Sequence, residues 1–336
     1  MSTVRNWLGG QHDFFAASSW TPTGQSAPGD TATIGLGSAS DPNVAVVQNA
    51  MLSGMAVVLD DGLSAADPAS NPTLSLSNTI ISSDTSIEGH ANFQYNPYSF
   101  AEALDLKGFV LNQGTISEND LFNTLNVNLA DSTMLMNQGT ISGGDYDTVN
   151  IAGDGWNALM NNGTISGQGS TINVDTPVFG QGEFDLKEGP GFGSHFPNSS
   201  TLEFHQMVGS GQTISMTNST LVLDSPPTFL ATIDDLSVSP SSAYASNSSV
   251  LLAGEHVTAL SFQNNVLTVS DGGNVLAQLN FAPGLAAADF TFNAISGGGG
   301  LPAGTDIHIQ SPAMGADTTQ MAQTASLAVP PLQNQA

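Results

Sequence analysis

Apolar and polar residues alternate with period two in short runs along the chain. Leu125-Asn-Val-Asn-Leu129 and Thr148-Val-Asn-Ile151 are two of them, and such alternation predicts strands with one buried face. One strand-like segment occurs three times, as LNQGTIS (Leu111–Ser117), MNQGTIS (Met136–Ser142) and MNNGTIS (Met160–Ser166). The offsets from Asn112 to Asn137 to Asn161 are 25 and 24 residues. Looser copies, SLSNTIISS (Ser75–Ser83) and SGQTISMTNSTLVLD (Ser210–Asp224), lie on either side. In each unit an apolar residue precedes Asn, Gly is read as a sharp corner with positive φ, and Thr-Ile-Ser opens the next strand.

A strand of four or five residues cannot bury a face by itself. Stacked in register about 4.8 Å apart, such strands bury a continuous stripe of Ile, Val, Leu and Met, and corner Asn side chains form ladders. A leucine-rich repeat has a similar period, but its L-x-x-L-x-L-x-x-N pattern is missing. Helical repeats are disfavoured because Gly, Ser, Thr and Asn abound while Lys, Arg and Glu are scarce. The prediction is an all-β, right-handed parallel β-helix (β-solenoid) of roughly ten rungs, with an N-terminal cap and a C-terminal β module. The expected boundaries are a cap over 1–30, the solenoid over 31–235 with insertions near 90–109 and 187–198, a β module over 236–310 that continues or caps the stack, and a flexible polar tail over 311–336.

Composition narrows the function. The 336 residues hold 29 acids against three bases (Arg5, Lys107 and Lys187), for a net charge of −26, while 40% are hydrophobic and only 10% charged. The apolar share separates the chain from disordered acidic tails. Three scattered cations cannot form the basic stripe that nucleic-acid binding needs, nor clamp a phosphate, and anionic membranes would repel the chain. There is no cysteine, which excludes disulfides, thiolate metal sites and thiol catalysis. No apolar run is long enough to span a bilayer, and no apolar h-region follows Arg5 at the start.

Trp7 and Trp20, followed by SAPGDTATIG (Ser26–Gly35), resemble the opening of bacterial filamentous-haemagglutinin and autotransporter-passenger repeats, and the N-Q-G-T-I-S units resemble their coils. The stretches Ser200–Ile233 and Val257–Gly284, with FTFNAISGGGG and GTDIHI, look like modules of large secreted bacterial surface proteins. Together these cover most of residues 1–310. The resemblance implies a surface or matrix protein of the adhesin or fibre type. The missing N-terminal signal and the polar, Pro-punctuated tail resemble substrates of type I secretion, so export without a cleaved N-terminal signal peptide is expected, with a C-terminal address in Thr319–Ala336. No translocator barrel follows, unlike in long passengers.

Candidate sites are few. Asp145, Asp147 and Asp154 in GGDYDTVNIAGDG form a candidate Ca²⁺ set, because clustered oxygens suit a hard cation. Tyr146 and Thr148 depart from the calcium nonapeptide G-G-x-G-x-D, and Asp also fills turns for its own backbone hydrogen bonds. Asp60-Asp61 and Asp234-Asp235 read as turn residues. Phe93, Tyr95, Tyr98 and Phe100 interrupt the repeat as a candidate binding surface for sugar rings or protein, or else flank a short helix over Ser99–Leu106. His195 and His205, ten residues apart, could meet on neighbouring strands, although His spacing shows no metal motif. No G-x-S-x-G offers a triad, and a uronate lyase would lack cations for its substrate.

The expected function is an extracellular, non-catalytic structural protein of a bacterial surface or biofilm matrix, self-assembling head-to-tail into fibres or mediating adhesion. Self-association is the expected partnership, with polysaccharide as a further partner, and assembly is expected to strengthen with Ca²⁺ or high salt. The alternatives are a polysaccharide hydrolase on the same fold, using paired carboxylates, and a sugar-binding adhesin.

Overall fold

In the computed structural model the chain forms a parallel β-solenoid. The structure describes residues 3–35, 43–62, 72–91, 100–118, 122–190, 199–234, 248–298 and 301–309. Each coil contributes a strand to a first sheet, a strand to a second sheet, and then a short third face before turning back to the first. The central coil shows the plan: Thr115–Glu118 in the first sheet, then Asn123–Asn137, whose first half lies in the second sheet and whose last four residues form the third face, then Thr140–Gly143 in the first sheet again.

The repeat sets the register. Ile116 pairs with Ile141, and Ile141 with Ile165. The same column runs from Ala32 through Val57 and Ile87 to these three, and onward through Phe184 and Ile214 to Ile233. All are fully buried. A second column on the opposite wall passes through Leu74, Leu104, Val127, Ile151, Val174, Phe204 and Leu223. The core is therefore a rod of interdigitated side chains enclosed by the three faces, and each coil buries what a lone strand could not.

Two features of the repeat differ from the sequence reading. First, the corner glycines Gly114, Gly139 and Gly163 do not have positive φ. Glycine is needed there because coils touch backbone to backbone: a Cβ on Gly139 would sit 2.1 Å from Gly114 O, and one on Gly163 would sit 2.2 Å from Gly139 O. The left-handed corners lie elsewhere, at Phe122, Tyr146 and Gly169 between the first and second sheets.

Second, the side chains of the unit are inverted. The expected buried Leu/Met stripe points outward at Leu111, Met136 and Met160, which are part-exposed, while Asn112, Asn137 and Asn161 are fully buried. Asn112 Nδ2 donates to Asn137 Oδ1 at 2.8 Å, and Asn137 Nδ2 to Asn161 Oδ1 at 2.9 Å. Asn161 Nδ2 then donates to Gln212 Oε1 at 3.0 Å. Backbone groups complete each site: Gly114 N–H donates to Asn112 Oδ1, and Asn112 Nδ2 reaches Thr140 O. A buried amide with its hydrogen bonds met is tolerated, and the ladder locks the corner.

Both ends of the stack change strand direction. At the start, Val4–Trp7 pairs parallel with Thr31–Gly35 and antiparallel with Trp20–Thr21. Trp7, Phe14 and Trp20 plug the open core edge to face, Trp20 lying 4.8 Å from Trp7 and 5.0 Å from Phe14. At the far end Ser249–Ala253 is the last parallel strand of the second sheet, and the hairpin Phe290–Ile295/Gly304–Ile309 covers it antiparallel. In the first sheet Asn274–Phe281 continues parallel from Thr232–Asp234, and Val266–Asp271 and Ala259–Gln263 then follow it as an antiparallel meander. The C-terminal module thus ends the parallel stack with antiparallel edge strands.

Candidate functional site: an outward apolar face and a histidine–carboxylate cluster

The inverted corner leaves an apolar ladder on the outside of the third face. In register, Met51, Ile80, Leu111, Met136, Met160 and Phe179 stand one above the other. Beside them run Phe109, Met134 and Ala158. Trp156, 90% exposed, projects from the corner that leads into Ala158–Asn161. The third-face strands Met51–Leu52, Ile80–Ile81, Ala158–Asn161 and Val178–Phe179, with the tails of Phe100–Asn112 and Asn123–Asn137, carry no charged residue from Phe109 and Met134 onward. Three rungs of four residues and three of two, at about 4.8 Å between coils and about 3.3 Å per residue, make a strip of roughly 300 Å². That is the size of the largest apolar patch on an ordinary monomer, and such patches are often functional.

The expected calcium set does not converge. Asp147 is buried at the first-to-second-sheet corner, where its Oδ1 accepts the Asn123 N–H at 3.1 Å. Asp145 is at the same corner, with its Oδ1 against Gly169 and Gly189. Asp154 lies at the next corner, beyond the six-residue strand Thr148–Gly153, which at about 3.3 Å per residue separates it by roughly 20 Å. The turn role of Asp is what this corner uses. Tyr146 fills the left-handed position that Gly169 takes one coil later, and stacks on Phe122 at 5.0 Å.

Of the aromatic interruption, Phe93, Tyr95 and Tyr98 lie outside the described residues. Phe100 opens the strand Phe100–Asn112, so the expected helix over Ser99–Leu106 is a strand from Phe100 onward. The alternating pattern of Ala101–Leu106 outweighs helix propensity once neighbouring coils supply partners. Asp60 and Asp61 likewise belong to the strand Ala56–Gly62 instead of a turn, and Asp234 ends the strand Thr232–Asp234. Asp235, His195 and most of the 187–198 insertion lie outside the described residues, as does the tail.

Two further carboxylates, Glu102 and Glu118, are fully buried inside the solenoid. They converge on Gly89, where an added Cβ would sit 1.9 Å from Glu118 Oε2 and 3.3 Å from Glu102 Oε2. Asn123 Nδ2 donates to Glu118 Oε1 at 3.3 Å.

A cluster missed in the sequence sits on the outer face of the second sheet. Glu203, His205 and Asp224 each offer one ligand atom, all within 4.8 Å of one another. His205 Nδ1 lies 2.5 Å from Asp224 Oδ2, with both side chains about one-third exposed. Burial pushes the Glu203 carboxyl above its ordinary value; His205 acts in the opposite sense and Asp224 adds to the rise. Glu203 and His205 are two apart, a visible period-two pair. Asp224 arrives through a coil of only 19 residues from His205, shorter than the repeat, so no periodic reading would bring it there.

No protein-family model matches the chain, and no curated protein matches its sequence.

Proposed function

We propose that the protein is a non-catalytic structural scaffold of the bacterial surface or extracellular matrix, a rod that associates side by side with copies of itself through its third face. The observation that carries this is the outward ladder Met51–Ile80–Leu111–Met136–Met160–Phe179. A second copy is the occupant that fits best. With 26 net negative charges per chain, copies repel one another least along uncharged surface, and the apolar strip is such a surface among the described residues. The antiparallel strands Trp20–Thr21, Ala259–Gln263 and Phe290–Ile295 that end the sheets break the parallel register a head-to-tail joint would continue, which favours lateral contact over the head-to-tail joining expected from sequence. The resemblance to filamentous-haemagglutinin repeats supports the surface address.

A strip of roughly 300 Å² is smaller than the usual 800 Å² per partner of a stable complex, so each contact is weak and strength comes from many aligned copies. The test is sedimentation of the purified chain across concentration and salt series, beside a Met136→Gln/Met160→Gln double variant. Association should strengthen as salt screens repulsion, and the variant should lose most of it. A monomer at every concentration and salt would sink the reading.

A further inference from the structure

We infer that Glu203, His205 and Asp224 form a binding site for a divalent transition metal of the zinc class, which ties two adjacent coils together beneath the C-terminal cap. Glu203 lies in the strand Thr201–Phe204 and His205 directly follows it, and two residues apart in extended chain they project to the same side. Asp224 follows the strand Thr220–Leu223 of the next coil. Since Phe204 pairs with Leu223, Asp224 is the register neighbour of His205. Ligand atoms on a tetrahedral zinc ion stand roughly 3.4 Å apart; the three atoms here lie within 4.8 Å of one another, and to hold the ion His205 and Asp224 would part from their 2.5 Å contact while Glu203 closes in.

The donor chemistry selects the ion. One imidazole nitrogen with two carboxylates is a mixed nitrogen–oxygen set, suited to zinc, cobalt or nickel. Calcium would want six to eight oxygens. Three protein ligands leave further positions for water, as in open zinc sites.

Independent support comes from the coil below. Asn126, Asn150 and Asn173 form an outer ladder in which Asn150 Nδ2 donates to Asn126 Oδ1 and Asn173 Nδ2 to Asn150 Oδ1, each at 2.9 Å. Asn173 uses one Nδ2 hydrogen in that ladder and leaves its Oδ1 unused, and its register neighbour in the coil above is Glu203. That oxygen is shielded from solvent and accepts no hydrogen bond. A cation on Glu203 would give it a partner, directly or through a bound water. Protein cations are committed elsewhere: Arg5 pairs with Asp30, Lys107 with Asp131 and Lys187 with Asp185.

The inference stands apart from side-by-side association and is tested separately. The full chain, stripped with a chelator, is titrated with Zn²⁺ by calorimetry, with Co²⁺ absorption as a second probe. Wild type should take up one ion that His205→Ala does not, and Asn173→Ala should weaken that ion about tenfold. Zinc should raise Tm in wild type and leave it unmoved in Asp224→Asn, with circular dichroism confirming that both variants fold. Equal uptake by wild type and His205→Ala would overturn the site. So would a Tm that about 1 mM Zn²⁺ fails to shift, since the His205–Asp224 ion pair would then account for the cluster alone. Calcium competing as well as zinc would overturn the zinc-class assignment.

Discussion

Asn137 Nδ2 lies 2.9 Å from Asn161 Oδ1 in a corner where neither side chain meets solvent, and this contact turns the repeated unit inside out. Asn137→Ala removes donors to Asn161 and Thr164 O and the acceptor of Asn112, stranding buried partners. The expected cost is about 2–3 kcal/mol in equilibrium denaturation, with wild-type circular dichroism at low denaturant.

The corner glycines separate two reasons for glycine. Gly139→Ala places a Cβ 2.1 Å from Gly114 O, which forces coils apart and is expected to cost about 3 kcal/mol. Gly155→Ala meets open space but keeps a φ of +65, so only backbone strain of about 1 kcal/mol is expected. Thermal melts of the two variants should rank accordingly; equal losses would mean that coil contact is not the constraint.

Ile141→Ala in the first core column should cost about 2–5 kcal/mol, because the side chain is fully buried and its neighbours above and below, Ile116 and Ile165, are held by their own strands. Denaturant unfolding measures this, and a loss under about 1 kcal/mol would contradict a packed column.

Acid should loosen the N-terminal cap first. The Arg5 guanidinium, 2.8 Å from Asp30, holds that carboxyl below its ordinary value, aided by the Thr3 and Ala27 N–H groups. A depressed folded-state pKa stabilises above the unfolded aspartate range, and the contribution disappears as pH falls through the folded value. Emission from Trp7 and Trp20, buried nearby, should therefore change at acid pH in wild type. Asp30→Asn should flatten that change.

Trp156 gives a direct signal for lateral association. At 90% exposure it should emit at long wavelength and be quenched freely by acrylamide in dilute solution. Both should reverse as concentration and salt rise, and a Trp156→Phe variant should lack the change.

The stacking of Ile116, Ile141 and Ile165 was legible because a strict repeat carries its own register. The facing of the corner was legible too, though a hydrophobicity rule misreads it. Counting by twos from Ile141 passes Gly139 and Asn137 to Leu135, which places Asn137 inside and Met136 outside, as the structure has them. A preference for burying Met over Asn overrides that parity, and only the ladder of amides explains why parity wins. The histidine cluster depended on coil length. Between His205 and Asp224 the chain takes a 19-residue path, and the shortening removes loop without touching the strands that define the period.

Because each central coil meets neighbours through the same contacts, rod length is quantised. Excising Gln138–Asn161, the 24 residues from one ladder amide to the next, would join Asn137 to Asn162 and bring Ile165 onto Ile116 in the seat that Ile141 vacates. The result would be a molecule shorter by one step of about 4.8 Å, with both caps unaltered. A chain built this way can gain or lose whole coils without inventing any new packing.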